Sequence, residues 1–311
     1  HRLIHQPFYK QILKIIIVNG ELISTDLFQI YLNERYPNCA TLIQASEFMC
    51  LNESEEPNME LISVKLDSLL KQNIAYKLLV TQGFICRNCT GGIDNLNRGG
   101  SDYSATIMGA AIKAEEIQIW TDIDGMHNND PRIVSKTKPI SNLSLEEAGE
   151  LAYFGAKILH PNCIIPAQQF NIPVRIKNTL KPMAYGTLIT SDQNPKTVKA
   201  IAAKDGITAI KIKSSRMILA YGFLRKVFQV FEQYQTPIDM ITTSEIAVSV
   251  TIDTPKFLNQ IVQDLQEYGK VEVDRNQTII CIVGDMVGEQ KGVSSDIFKA
   301  LEDLPIRMIS F

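Results

Sequence analysis

Asn97-Arg98-Gly99-Gly100-Ser101-Asp102-Tyr103-Ser104 is the stretch on which the reading of this chain turns. Before it come an apolar strand pattern at 76–81 and a polar loop; after it, small residues at 103–114 carry helical spacing. Two glycines let the backbone come close to a ligand. Ser101 and Asp102 stand where a helix start leaves four amide donors without partners. An anion, phosphate or carboxylate, suits that geometry, with Arg98 beside it. The same residues would also make an ordinary cap after a glycine turn, so the segment has to be read with its surroundings.

Working outward, residues 14–18, 40–43, 75–81, 117–121 and 174–177 read as strands, and 24–34, 59–71, 103–114 and 144–154 as helices. The alternation predicts an α/β unit with a largely parallel sheet between helical layers. Ligands in such sheets collect beyond the carboxyl ends of strands, where this reading puts Gly20-Glu21, Gly83-Phe84 and Asp122. Polar Ser191-Asp192-Gln193-Asn194-Pro195-Lys196 marks a boundary. Beyond it, a strand at 207–212, a helix at 223–234, strands at 238–242 and 247–252, a helix at 257–268 and a strand at 271–273 follow. That is the ferredoxin-like β-α-β-β-α-β order. A second round runs through a strand at 278–283 and a helix at 294–301 to a strand at 306–309. Pro237-Ile238-Asp239-Met240-Ile241 aligns with Pro305-Ile306-Arg307-Met308-Ile309, a weak internal repeat whose second copy reads as unfinished.

The composition agrees with a soluble globular protein. Its 311 residues are 45% hydrophobic and 21% charged with net charge -3, enough chain for two cores and no basic excess for a nucleic-acid partner. Apolar runs such as 12–18 have strand length and fall short of a membrane span. Cysteines at 39, 50, 86, 89, 163 and 281 do not form a dense framework, and Cys86-Arg87-Asn88-Cys89 is a lone CxxC. Reduced thiols are the expectation rather than a zinc or redox site. The opening segment lacks the form of a signal peptide, so the expected location is cytoplasmic.

Several residues could carry chemistry. Thr121 and Asp122, just past a strand, suit a base or ribose, and Arg132 suits a phosphate, although Asp-Gly and Asp-Pro are also common turn signatures. Lys157, inside an apolar segment, either snorkels to solvent or faces a phosphate. His160 before Pro161 is either a general base or a packed histidine at a helix boundary. Glu21 suits an ammonium and Arg98 a carboxylate, the two ends of an amino acid. No nucleophile elbow or metal cluster emerges, and phosphoryl transfer needs neither: positioning and charge neutralisation carry it.

Taken in order, these segments resemble the aspartate kinases, above all the lysine-sensitive form. The resemblance rests on NGELIST at 19–25, TQGF, NRGGSDYSA, WTDIDG, DPR, FGAKILHP and YGFLRKVFQVFEQYQTPIDMITTSE at 221–245. It implies an amino-acid kinase fold over 1–193, without the family's opening strand and phosphate loop. An ACT regulatory module over 197–275 and a partial second one over 276–311 would follow, a chain truncated at both ends. The implied reaction moves the γ-phosphoryl group of ATP, with Mg2+, to the side-chain carboxylate of L-aspartate, the first step toward lysine, methionine and threonine. L-lysine is the implied effector and a homodimer through the ACT modules the implied assembly, with no nucleic acid and no membrane. By matching motifs, Glu21, Thr25, Phe84, Arg98 and Ser101 would bind aspartate. Arg98, Asp102 and Lys157 would serve catalysis, and Thr121, Asp122, His127, Arg132 and Lys157 would hold ATP. Met217, Gly222, Phe223, Leu224, Asp239, Ser244 and Glu245 would form the effector site, the acids favouring a cationic ligand. No residue is implied as a metal ligand. His127 stands where the family usually has tyrosine, and Pro237 where it has a small polar residue. Two other readings compete: a catalytically silent lysine sensor and a related amino-acid kinase with another substrate.

Overall fold

The computed structural model describes residues 7–96, 99–155, 159–191, 198–214, 221–284 and 291–310. Two compact units divide the chain, His1–Pro195 and Lys196–Phe311.

Unit one begins with α1 (Pro7–Arg35), β1 (Ala40–Leu42), α2 (Ala45–Phe48), α3 (Met59–Gln72) and β2 (Leu78–Val80). A hairpin of β3 (Ile85–Arg87) and β4 (Ile93–Asn95) leads to α4 (Gly100–Ile112) and β5 (Ile117–Thr121). Then come β6 (Asn142–Ser144), α5 (Leu145–Phe154), α6 (Ile165–Gln169), β7 (Val174–Asn178) and β8 (Thr187–Thr190). The strands β1 and β2 pair in parallel, and a mixed sheet runs β5-β7-β8-β6, parallel except between β7 and β8. The α/β class holds, with a mixed rather than uniformly parallel sheet. In β5, Ile117 and Ile119 are buried while Gln118 and Trp120 face out, the alternation of a half-buried strand. α5 starts on a capping box, Ser144 and Glu147 each satisfying the other's amide. A core of Phe48, Met49, Ile62, Ile85 and Ile107 includes Val18 from α1.

Residues 14–18, expected as a strand, lie inside α1. Among the described side chains, the inward positions of this helix are Lys14, Val18, Glu21, Leu22, Thr25, Gln29, Leu32 and Asn33, a stripe spaced mostly three to four residues apart. That period is helical and outweighs the weak strand preference of a short β-branched run. Gly20-Glu21 therefore sits in mid-helix and not beyond a strand. α1 also corrects the expectation about membrane spans, because residues 12–35 are long and apolar enough to cross one by length and composition. Its inward stripe is nevertheless tied into unit one. Lys14 Nζ pairs with Asp94 Oδ1 at 2.5 Å, Asn33 Nδ2 donates to the Ala40 carbonyl at 2.8 Å, and Val18 is buried in the core. The loop expected before α4 holds the β3–β4 hairpin, turned by Asn88, whose Oδ1 accepts from the amides of Thr90 and Gly92. Cys86 is buried on β3 and Cys89 exposed in the turn, so the CxxC pair is split.

Unit two runs through β9 (Val198–Lys213), α7 (Phe223–Gln233), β10 (Met240–Thr243), β11 (Ala247–Ile252), α8 (Leu258–Leu265), β12 (Lys270–Gly284) and α9 (Val293–Ala300). Its antiparallel sheet has the order β10-β11-β9-β12. Phe223, Val227, Val230 and Phe231 of α7 and Leu258, Ile261 and Leu265 of α8 pack on Ile210, Ile212, Val248 and Val250, which is the helical stripe meeting the strand alternation.

Three expectations in this unit change. The strands expected separately at 271–273 and 278–283 form one strand, β12, whose register slips between Asp274 and Ile279, with Asn276 at φ 55. Its partner β9 begins at Val198 rather than 207. Residues 198–204 carry small alanines in place of a strong strand signal and are ordered by pairing with 279–284. Residues 306–309, expected as a strand, lie in irregular backbone with no described strand to pair with. The helical half of the repeat does recur: α7 and α9 both follow a left-handed glycine, Gly222 and Gly292.

Candidate active site

Three elements of unit one converge where α4 begins. α1 supplies Glu21 and Thr25 from its inward stripe, the chain after β2 supplies Gly83 and Phe84, and α4 supplies Gly99 to Ser104. Glu21 Oε1 accepts from the Gly83 amide at 2.8 Å. Contact between the last two segments is too close for side chains. A Cβ on Gly83 would lie 2.7 Å from Ser101 Oγ, and one on Gly100 would lie 2.6 Å from Phe84 Cβ. Glycine is required at both places by close approach. Glu21, Phe84, Ser101 and Asp102 are therefore gathered at one locus, which Glu21 reaches from a helix. Thr25 supports the locus: its hydroxyl donates to the Glu21 carbonyl at 2.9 Å and accepts from Gln82 Nε2 at 3.1 Å.

The first turn of α4 has no side-chain cap, since its N-cap residue is Gly99 at φ 77. Its leading amides are donors at the positive end of a helix dipole, the arrangement that receives anions. Burial pushes the Asp102 carboxyl above its ordinary value. Burial also pushes the Cys163 thiol up to about 12, with Asp102 adding to the effect. His160 shows the packed one of its two readings. Its Cβ lies where a side chain on Gly99 would have to go, and its Nδ1 accepts from the Asn162 amide at 3.3 Å. Arg98 and Lys157 lie outside the described residues, as does Met217.

Of the residues assigned to the nucleotide, Thr121 ends β5, Asp122 follows it, and His127 and Arg132 lie in the chain beyond. Thr121 Oγ1 donates to Asp122 Oδ1 at 3.1 Å, and Asp122 is exposed. The His127 ring is held on both sides, Nε2 with Asp124 Oδ1 and Nδ1 with Thr137 Oγ1, each at 2.8 Å. Its hydrogen bond holds the Asp124 carboxyl below the usual carboxylate range. Arg132 is exposed and forms a fork on Asp130, so a phosphate would have to compete with that carboxylate. The sequence reading missed Asn178. It is 5% exposed, donates to the Asp122 carbonyl at 3.4 Å and accepts from the Leu180 amide at 2.8 Å, clasping the ends of β5 and β7. An asparagine closing an otherwise alternating strand was the signal that could have found it.

In unit two, Gly222 caps α7, Phe223 is buried in the core and Leu224 is exposed. Ser244 donates twice within its own turn, from its amide at 2.8 Å and its hydroxyl at 3.4 Å, both to the Ala247 carbonyl, and Glu245 is exposed. Asp239 already has a cation. Lys204 Nζ lies 3.0 Å from Asp239 Oδ1 and 2.9 Å from Asp253 Oδ2, with the Asp239 side chain 1% exposed.

The fold of unit one and its helix-start pocket define a class, and residues 14–178 match the model of the amino acid kinase family. The chain is 36% identical over 286 residues to aspartokinase 3, chloroplastic, of Arabidopsis thaliana, covering 86% of this chain and 51% of that protein. It is 34% identical over 308 residues to lysine-sensitive aspartokinase 3 of Escherichia coli (strain K12), covering 95% of this chain and 68% of that one. Among solved structures, E. coli aspartokinase III in complex with aspartate and ADP superposes with a TM-score of 0.84 at 33% identity, covering 97% of this chain and 70% of that chain. The same enzyme in complex with lysine and aspartate superposes at 0.77, also at 33% identity, with coverage of 97% and 69%. Within the amino acid kinases, this chain belongs to the aspartokinase family. It spans about half the length of the Arabidopsis relative.

Proposed function

We propose that this chain carries the kinase and regulatory units of an enzyme that transfers the γ-phosphoryl group of ATP to the side-chain carboxylate of L-aspartate, under feedback by L-lysine. The observation that carries the reading is the meeting of Glu21, Phe84, Ser101 and Asp102 at the uncapped start of α4. An anionic group for an ammonium stands there beside amide donors for an anion, as an amino acid next to a phosphoryl group requires. Glu21 takes the α-amino group and Arg98 the α-carboxylate, which leaves the side-chain carboxylate to attack γ-phosphorus directly. The protein forms no covalent intermediate; catalysis is positioning, with Lys157 and the helix-start amides neutralising charge on the transferring group. Thr121, Asp122, His127 and Arg132 hold the nucleotide. No three metal-binding side chains cluster among the described residues. Mg2+, which keeps most of its shell as water and phosphate oxygens, needs only one or two carboxylates, and Asp102 is the donor beside the pocket.

The kinase domain spans 1–193, a first ACT module 197–275 and part of a second 276–311, and the modules pair two chains into a dimer in the cytoplasm. Met217, Gly222, Phe223, Leu224, Asp239, Ser244 and Glu245 belong to the effector site. There the Lys204 ammonium beside Asp239 leaves exposed Glu245 as the acid open to a cationic ligand. The test is transfer of label from γ-labelled ATP to L-aspartate by the purified 311-residue chain, trapped as the hydroxamate, with and without L-lysine. Label on aspartate that lysine suppresses supports the reading. Transfer to another amino acid, or lysine binding by a folded chain that transfers nothing, overturns it.

A further inference from the structure

The turn at Gly83-Phe84 is a strained point of unit one. Phe84 has φ 45, in the left-handed region that residues with a Cβ rarely enter. The Ile85 amide donates to the Gly83 carbonyl at 2.5 Å across it, a three-residue γ-turn of the rare positive-φ kind. Such a conformation persists only where its surroundings over-determine it, and it gathers at binding sites. Three partners do so here. Glu21 holds the Gly83 amide, the Leu96 amide donates to the Phe84 carbonyl at 2.7 Å, and Ser104 Oγ accepts from the Phe84 amide at 2.9 Å. Ser104 is 1% exposed, and its own proton goes to the Gly100 carbonyl at 2.8 Å.

A serine in a helix commonly bonds back to the carbonyl four residues earlier, which by itself means little. The second bond is different in kind, because it ties the strained residue to an α4 side chain whose hydroxyl is itself anchored on the first residue of that helix, Gly100. We propose that Ser104 is a positioning residue for the amino-acid pocket. Its hydroxyl latches Phe84 in the left-handed turn and so keeps Glu21, the Phe84 ring and the Ser101 amide aligned on one ligand. The ligand, an α-amino acid with a second carboxylate, rests on the function proposed above; the latch itself rests on the turn.

Ser104→Ala and Ser104→Thr in the full chain test the proposal, with calorimetric titration of L-aspartate and of ADP, thermal melting, and amide hydrogen exchange at Phe84. Ser104→Ala should weaken L-aspartate binding about fivefold to tenfold, the size of one hydrogen bond, and speed exchange at Phe84. ADP affinity should be unchanged, and Ser104→Thr should restore both aspartate affinity and protection. Equal losses for the two ligands in step with melting temperature, or unchanged aspartate affinity in Ser104→Ala, would overturn the latch. A folded wild-type chain that does not bind L-aspartate would overturn the proposed function instead. Exchange at Phe84 would then decide the latch alone, and equal protection in wild type and Ser104→Ala would overturn it.

Discussion

Gly100 shows how much of the site depends on single atoms. Its missing Cβ is the space that Phe84 occupies, and Leu96 Cβ closes the other side at 3.2 Å. Neither neighbour can move freely, because Phe84 is held through both its amide and its carbonyl. Gly100→Ala should therefore cost about 1–3 kcal/mol by overpacking, read from urea unfolding, and weaken aspartate binding more than ADP binding. Asp102 makes a second prediction. Burial raises its carboxyl, so the folded chain holds that proton more tightly than the unfolded chain. The stability it contributes is full below the unfolded value of 3.8 and is lost as pH rises through the folded value. Asp102→Asn removes the charge that burial penalises. The ligand-free variant should melt above wild type at neutral pH, and the gap should shrink as pH falls toward about 4. The glycines and Asp102 were legible in the NRGGSDYS string, since a turn and a helix start are local signals. Phe84's left-handed turn was not, because nothing in its neighbours demands a positive φ; the bond between Gly83 and Glu21 and those of Phe84 with Ser104 and Leu96 impose it.

At the scale of elements, α1 separates local propensity from tertiary period. Ile15-Ile16-Ile17-Val18 favours a strand by composition, yet only Val18 is buried, and it shares a face with Lys14, Leu22 and Thr25. Gly20, which looks like a turn residue, lies in mid-helix with nothing within 4 Å of where a Cβ would stand. Gly20→Ala should accordingly stabilise unit one by roughly 0.5–1 kcal/mol in urea unfolding, whereas a turn glycine would lose stability. In unit two, Lys204 on β9 clamps Asp239, ahead of β10, to Asp253 at the end of β11. Lys204→Met takes the ammonium from a nearly buried carboxylate and should cost about 3 kcal/mol, seen as a lower melting temperature for this unit. The helices of unit two were legible because their apolar stripes are regular. The extent of β9 was not, because Ala200, Ala202 and Ala203 become strand only through their partners in β12.

Across the whole molecule, each unit has its own core, one built around Phe48, Ile62 and Ile107 and the other around Ile210, Val227 and Ile261. Scanning calorimetry should resolve two transitions that respond to different ligands. L-aspartate at a hundredfold excess over its Kd should stabilise unit one by about 2.7 kcal/mol, and L-lysine should raise the other transition. A single transition moved equally by both would count against separate units. The division near residue 195, the α/β and ferredoxin-like orders, and a helix opening beside Ser101 and Asp102 were all determined by the sequence alone. Apolar period and turn residues act over a few positions and can be read there. Tertiary structure alone decided that residues 14–18 are helix, that Phe84 is strained, that Asn178 clasps two strands and that Lys204 answers Asp239. Each of these depends on side chains far apart in the chain, as Glu21 and Gly83 are by 62 residues, and no local pattern encodes which distant groups will meet.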